Sequence, residues 1–266
     1  MPYNLAVLTR EIAAIAKDAG AFLLQERSRF QRESIEYKGL NNLVSYVDKE
    51  TEKQLVTRLS QLLPEAGFIT EEGTTGQEAD KEALNWIIDP LDGTANFIHS
   101  LPVFSVSIGL AQGKTPIAGV VYDPNRDECF SAWKGGGAYC NGNKISVSPA
   151  TQLGESLIAT GFPYYHFDQM QKYLRILESL MTQTHGLRRM GSAAIDLAYV
   201  ACGRFEAFYE YNLNSWDMAA GVLLIQEAGG IVTDFEGGDE FLFRGDVLAG
   251  CGVHPEVIKV IQEFWT

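Results

Sequence analysis

A change of period constrains the fold more than any other feature of the chain. From Phe68 to Ser148 the sequence runs as short β-rich pieces: "GFIT", "NWIID", "FSVSIGLAQ", "IAGVVYDP", "ECFSAWKG" and "AYCNGNKISVS". Gly, Pro and Asn punctuate them, and short links between successive strands predict an antiparallel meander. Ahead of this block the period is helical. Leu5, Leu8, Ile12, Ile15, Ala19 and Phe22 predict a helix over roughly residues 3–28. A second begins near Val47, carries Leu55, Leu59 and Leu62 on one face, and stops at Pro64. Between the two lies "EYKGLNNLVSYVD", a loop or short hairpin.

Beyond the meander, Met170, Leu174, Leu177 and Met181 restore helical spacing over 168–183. "SAAIDLAYVACGR" and "WDMAAGVLLIQEAGG" read as further helices closed by glycine. Strands "FEAFYE" and "GIVTDF" frame the latter, and a last helix starts after Pro255. The sum is a mixed α/β chain with helices packed on sheets in layers. At 266 residues, 46% of them hydrophobic, the chain can bury a large core as one elaborate domain or two packed halves.

Charge and cysteine usage exclude several functions. The formal charge of −13 opposes direct binding to nucleic acid phosphates or anionic membranes. No apolar run reaches the ~20 residues of a membrane span. Charges interrupt the N-terminal apolar residues, which is unlike a signal peptide. Cys129, Cys140, Cys202 and Cys251 lie far apart with no CxxC pair, which predicts free thiols in a reducing cytoplasm. The four histidines form no HxH or HxxxH pair, and no G-x-S-x-G is present.

What remains for chemistry is a set of acids at structural junctions. Glu71 and Glu72 follow "GFIT", Asp89 and Asp92 end "NWIIDPLD", Asp48 opens one helix and Asp217 another. Each has a bland explanation. Ser45 and Asp48 fit a capping box, Asp217 suits a helix's first turn, Asp-Pro and Asp-Gly are turn dipeptides, and Glu71-Glu72 fits a solvated loop. As a set they read differently. Carboxylates converging at strand ends repel unless a cation sits between them, and oxygen donors without His or Cys suit Mg²⁺. The turn Asp89-Pro90-Leu91-Asp92 lets Asp89 bridge two ions, lets Asp92 hold the second, and leaves the Leu91 carbonyl free as a ligand. Gly93 and Thr94 then offer backbone N–H groups to an anion.

Over essentially its whole length the chain resembles the inositol monophosphatase family of Mg²⁺-dependent, lithium-sensitive phosphatases. The resemblance rests on "WIIDPLDGTANFIHSLPVFSVSIGL", on "WDMAAGVLLIQEAGGIVTD", on the upstream Glu71-Glu72, and on "GVVYDP", "GAYCNG" and "RRMGSAAIDLAYVACGRFEAFYE". It implies one domain over 1–266 with a layered αβαβα sandwich of α+β type, similar to inositol monophosphatase and fructose-1,6-bisphosphatase, and a cytoplasmic homodimer. It implies two to three Mg²⁺ ions per site. Glu71, Asp89 and the Leu91 carbonyl match ligands of the first; Asp89, Asp92 and Asp217 match ligands of the second. Thr94, with Asp48 behind it, matches the pair that orients the attacking water, and Glu72 supports the metal ligands. Gly93 and Thr94 would contact the phosphate through their amides, Gly191, Ser192, Ala193, Glu210 and Asp217 would line the alcohol, and Glu71 and Asp92 would also be substrate-binding.

Three positions depart from the family's usual pattern: Asn42-Leu43-Val44-Ser45 for an Asp-Leu-Val-Thr run, Ser192 for threonine, and Ser215 before tryptophan. The implied reaction is hydrolysis of a phosphomonoester by water, with inositol 1-phosphate the expected substrate. Fructose 1,6-bisphosphate, 3′-phosphoadenosine 5′-phosphate and histidinol phosphate are the alternatives within the superfamily. Arg188 and Arg189 would bind a second phosphate or, the favoured reading, pair with surface acids or the other subunit. A dimeric protein-binding scaffold with secondary catalysis is the alternative of another class.

Overall fold

The computed structural model describes residues 3–30, 35–39, 42–76, 79–163 and 167–265, with the backbone alone at 35–39 and 42–45. The capping role expected of the Ser45 side chain therefore lies outside the described residues, as do the side chains of the Asn42–Ser45 run. Asn4 accepts a hydrogen bond from the Val7 amide at 3.2 Å and starts α1 (Leu5–Arg27). The inward stripe of α1 is Leu8, Ile12, Ile15, Ala19 and Leu23. A hairpin of β1 (Ile35–Gly39) and β2 (Asn42–Ser45) leads into α2 (Tyr46–Leu62), which buries Leu55 and Leu59.

The β-rich block forms a seven-stranded sheet in the order β3 (Gly67–Thr70), β4 (Leu84–Asp92), β5 (Ser105–Gln112), β6 (Thr115–Asp123), β7 (Glu128–Trp133), β8 (Gly137–Cys140), β9 (Asn143–Ile145). The short α3 (Thr94–Ile98) follows β4. From β4 onward the strands form the expected antiparallel meander. The first pair differs: β3 runs parallel to β4, with Thr70 opposite Ile88. A hairpin needs a tight turn, whereas residues 71–83 carry the chain back to the start of β4. Parallel pairing sets Glu71 beside Asp89 at the common C-terminal end of the two strands.

The second sheet has five strands in the order β11 (Gly186–Arg188), β10 (Leu157–Thr160), β12 (Ala207–Glu210), β14 (Val247–Gly250), β13 (Ile231–Thr233). The remaining helices are α4 (Met170–Gln183), α5 (Ala193–Ala201), α6 (Ser215–Glu227), α7 (Phe241–Arg244) and α8 (His254–Trp265). Side chains alternate along the strands and thereby build the layers. Trp86, Ile88, Val106, Ile108 and Val120 pack with α1 and α2, whereas Ile87 and Val121 pack with α5 and α6. In the second sheet Ala159, Phe208 and Ala249 face α5 and α6, and Ile158, Ala207, Tyr209 and Leu248 face α4 and α8. The result is an αβαβα sandwich whose middle layer, α5 and α6, is shared by both sheets. Among the described residues no helix is long and apolar enough to cross a membrane, and all four cysteines are free.

The helix over 168–183 lies where its spacing predicts, but its buried stripe is Tyr173, Ile176 and Leu180. Leu174 and Met181 are 43% and 60% exposed. The helix carries two apolar stripes, and the bulky one wins because the Tyr173 ring fits among Tyr209 and Tyr211.

Candidate active site

The site is built around the end of β4. Asp89 pairs with Ser107 and Asp92 with Ser105, with a bulge between them where Pro90 has no N–H to give the ladder. Asp89 accepts the Leu91 amide at 2.9 Å, which fixes the turn. Gly93 follows at φ 98, a conformation that favours glycine; a Cβ there would also sit 3.0 Å from the Val103 carbonyl oxygen. Thr94 then opens α3. Its hydroxyl lies 2.9 Å from an Asp48 carboxylate oxygen and 3.1 Å from the Leu91 carbonyl oxygen. Its single proton can go to only one of them, and the carboxylate is the stronger acceptor. Asp48 is fully buried in the first turn of α2.

Two helix N-termini complete the acid cluster. Asp92 accepts the Ser192 hydroxyl at 2.5 Å and the Ala194 amide at 2.7 Å, both at the start of α5. Asp217 accepts the Asn214 amide at 2.6 Å at the start of α6. Carboxylate oxygens of Asp89, Asp92 and Asp217 all lie within 4.8 Å of one another. Glu71 joins them through a hydrogen bond with Asp89.

The electrostatics are those of gathered acids. Burial, then the charge of its neighbours, holds Glu71 and Asp89 well above the ordinary carboxylate range. Burial lifts Asp92 to about 6 against its bonds to Ser192 and α5. Burial and the Asp92 charge lift Asp217 to about 7. A pocket of hard oxygen donors that repel one another fits a divalent cation of the Mg²⁺ kind.

Of the residues singled out from the sequence, Glu71, Asp89, Leu91, Asp92, Gly93, Thr94, Gly191, Ser192, Ala193, Glu210 and Asp217 line one cleft. Asp48 sits behind Thr94, and Glu72 is half-buried beside Glu71. On the far wall Glu210 lies against the backbone of Gly161, where a Cβ would fall 1.9 Å from its carboxylate oxygen. Burial raises Glu210 well above its ordinary range, and Arg189 opposes the shift.

Arg189, exposed like Arg188, also has a place in the site. It lines the cleft, lies 5.8 Å from the Phe162 ring centre, and its charge reaches Asp92, Asp196 and Glu210. Arg188 is exposed and donates to the Leu187 carbonyl at 3.0 Å.

Three further residues shape the site beyond those expected from the sequence. Asp196 lines the cleft at 1% exposure, with one carboxylate oxygen lacking a hydrogen-bond partner. Asn96 donates to the carbonyls of Val103 at 2.7 Å and Met190 at 2.9 Å, tying α3 to the loop before α5. Glu52 is fully buried on α2 and accepts hydrogen bonds from the loop after β3. The sequence signal for Glu52 and Asp196 is an acid on a helix that also carries buried apolar residues.

Comparison with known proteins agrees with this geometry. The model of the family described as "Inositol monophosphatase family" matches residues 4–265. The chain is 43% identical over 241 residues to the Nus factor SuhB of Pseudomonas aeruginosa, covering 88% of each chain. It is 39% identical over 259 residues to the inositol-1-monophosphatase of Mesorhizobium japonicum, covering 97% of each. Among solved structures, the extragenic suppressor protein suhB from Bartonella henselae superposes with a TM-score of 0.89 at 37% identity, over 97% of this chain and 99% of that one. The inositol monophosphatase from Anabaena gives 0.86 at 33% identity, over 98% of each. The chain belongs to the inositol monophosphatase family.

Proposed function

We propose that the chain is a Mg²⁺-dependent phosphomonoesterase that releases phosphate from myo-inositol 1-phosphate. The observation that carries this reading is the meeting of the Asp89, Asp92 and Asp217 carboxylates in one cleft with the Thr94–Asp48 pair. Asp89, Asp92 and Asp217, with Glu71 and the Leu91 carbonyl, would hold Mg²⁺, which when bound makes water more acidic and offsets charge on the phosphoryl oxygens and leaving alkoxide.

The protein's own residues do the rest. Asp48 accepts the hydrogen bond that the Thr94 hydroxyl donates, which leaves the lone pairs of the Thr94 oxygen to accept from a water and aim it. The Gly93 and Thr94 amides receive phosphate oxygens. Glu72, next to Glu71, supports the ligand pair. Gly191, Ser192 and Ala193 shape the wall for the alcohol, and Glu210 accepts hydrogen bonds from its hydroxyls. The five layers act as one domain, since α5 and α6 pack on both sheets. The reading includes a homodimer, and the free thiols suit a reducing cytoplasm.

A Mg²⁺-dependent activity panel tests it: inositol 1-phosphate, fructose 1,6-bisphosphate, 3′-phosphoadenosine 5′-phosphate and histidinol phosphate. Inositol 1-phosphate is expected to lead. A preference of ~100-fold for one of the others, ~2.7 kcal/mol of differential transition-state binding, overturns the substrate assignment. Arg189 in the cleft is the feature that would serve a second phosphate.

A second reading is favoured by the relatives named Nus factor SuhB. In it the chain also has a role apart from catalysis, exerted through partner macromolecules. Replacing the native copy with Asp92→Asn discriminates: a cell phenotype retained without phosphatase activity supports the second role, and a phenotype lost with the activity removes it.

A further inference from the structure

α2 sends two carboxylates inward, four residues apart on one face. Asp48 reaches Thr94. Glu52, fully buried, reaches the loop that leaves β3. One of its oxygens accepts the Glu72 amide at 2.7 Å; the other accepts the Thr74 amide and the Thr74 hydroxyl, each at 2.8 Å. Gly73 between them has φ 64, and this reversal turns both flanking amides toward the same carboxylate. A buried ionised acid is costly unless its oxygens are satisfied, and here three donors satisfy it.

The residue just before this clamp is Glu71. Its amide is bonded on the other side to the Ile88 carbonyl, at a long 3.4 Å. Its carboxyl leans on Asp89 against repulsion from Asp217, Glu72 and Asp48. Left to itself, an acid surrounded by acids swings out to solvent, and residues 71–76 have no helix or strand to prevent it. We infer that Glu52 is a positioning residue: by gripping the Glu72 and Thr74 amides it holds Glu71 in the acid cluster, and so sets the affinity of the site for a divalent cation. The inference rests on the reading of Glu71 as a metal ligand. Glu52 itself touches neither metal nor substrate.

The test is calorimetric titration of the whole protein with MgCl₂, together with amide hydrogen exchange and phosphate release. In Glu52→Gln one carboxamide end would present N–H to an N–H, so half of the clamp fails. The expected result is a Mg²⁺ Kd raised about 10-fold or more, the order seen when groups supporting metal ligands are removed. Exchange at the Glu72 and Thr74 amides should rise, while kcat at saturating Mg²⁺ stays within about threefold. Thr74→Val removes one donor and should raise Kd about threefold. Glu50→Gln, on the exposed side of the same helix, should leave Kd unchanged.

A folded Glu52→Gln protein with wild-type Mg²⁺ affinity overturns the inference, even with a lowered Tm, because a purely structural role would show the latter alone. Should Glu52→Gln not fold, Thr74→Val decides, and an unchanged Kd there overturns it. Wild-type protein that binds no Mg²⁺ overturns the metal reading and this inference together, which separates the two failures.

Discussion

The N-termini of α5 and α6 face the same cleft, and only α5 adds a cap from a distant part of the chain. α6 is capped from within: Asp217 reaches back three residues to the Asn214 amide. α5 has a local cap too, the Ser192 hydroxyl accepting the Ile195 amide, but adds a remote one: Asp92, 100 residues before Ser192, accepts the Ser192 hydroxyl and the Ala194 amide. Both acids neutralise orphan amides, and both point the same charge into the cleft. A local cap is a feature of one helix. A remote cap is a tie between β4 of one sheet and a helix shared with the other. Asp92 thus joins the two sheets and the acid cluster through one carboxylate, whereas the position of Asp217 is accounted for by capping its own helix.

The strongest way to break this comparison is to neutralise each acid. Asp92→Asn and Asp217→Asn should each lower kcat at saturating Mg²⁺ by at least about 10²-fold, the usual scale for losing one charge-stabilising group. Both should stay folded, because an asparagine oxygen still accepts the amide. If only one variant loses phosphate release, the two helix ends do not serve one site.

The next effect is pH dependence, read from thermal melts with and without Mg²⁺. Asp92 at about 6 and Asp217 at about 7 lie above their unfolded value of 3.8, so the metal-free native state holds more protons than the unfolded one between these limits. Stability of the metal-free protein should therefore be greatest below about pH 4, so far as these groups decide it, and fall as pH rises to 7. Bound Mg²⁺ relieves the repulsion, so its stabilising increment should grow over the same range. An increment at least ~3 °C larger at pH 8 than at pH 5.5, the shift that ~1 kcal/mol gives in a chain of this size, is expected. An increment that shrinks with pH refutes the cation reading.

The smallest effect separates the two caps. Ser192→Ala removes a donor to Asp92 and the side chain that accepts the Ile195 amide, and should cost about 1–2 kcal/mol by denaturant unfolding. Asn214→Ala keeps the backbone amide that Asp217 uses and should cost about half as much. Equal losses would mean that the remote cap holds no more than the local one.

Much of this was legible without coordinates. The Asp89–Thr94 turn carries its chemistry in consecutive residues, so a motif reports it directly. α1, α2 and the β4–β9 meander were legible because period and short links are local properties. Three things were not. The parallel pairing of β3 with β4 depends on where residues 71–83 return the chain. The choice of the Tyr173 stripe over the Leu174 stripe on α4 depends on a tyrosine cluster from another strand. β10, β11 and β14 have three or four residues each, and it is pairing in space, with one another and with β12 and β13, that makes them strands of one sheet.

The residue types that can do the chemistry are written in the chain order: hard oxygen donors, a threonine hydroxyl, and glycine where the backbone must turn. Those are properties of single residues and their immediate neighbours. Only folding in space sets Glu71 beside Asp89, makes Asp92 a cap of α5, brings Arg189 to the lining of the cleft, and lets Glu52 grip the loop behind Glu71. Each of these sets groups side by side that are far apart in the chain or on different elements. Hydrogen bonding and desolvation act on distance in space, which spacing in sequence does not encode.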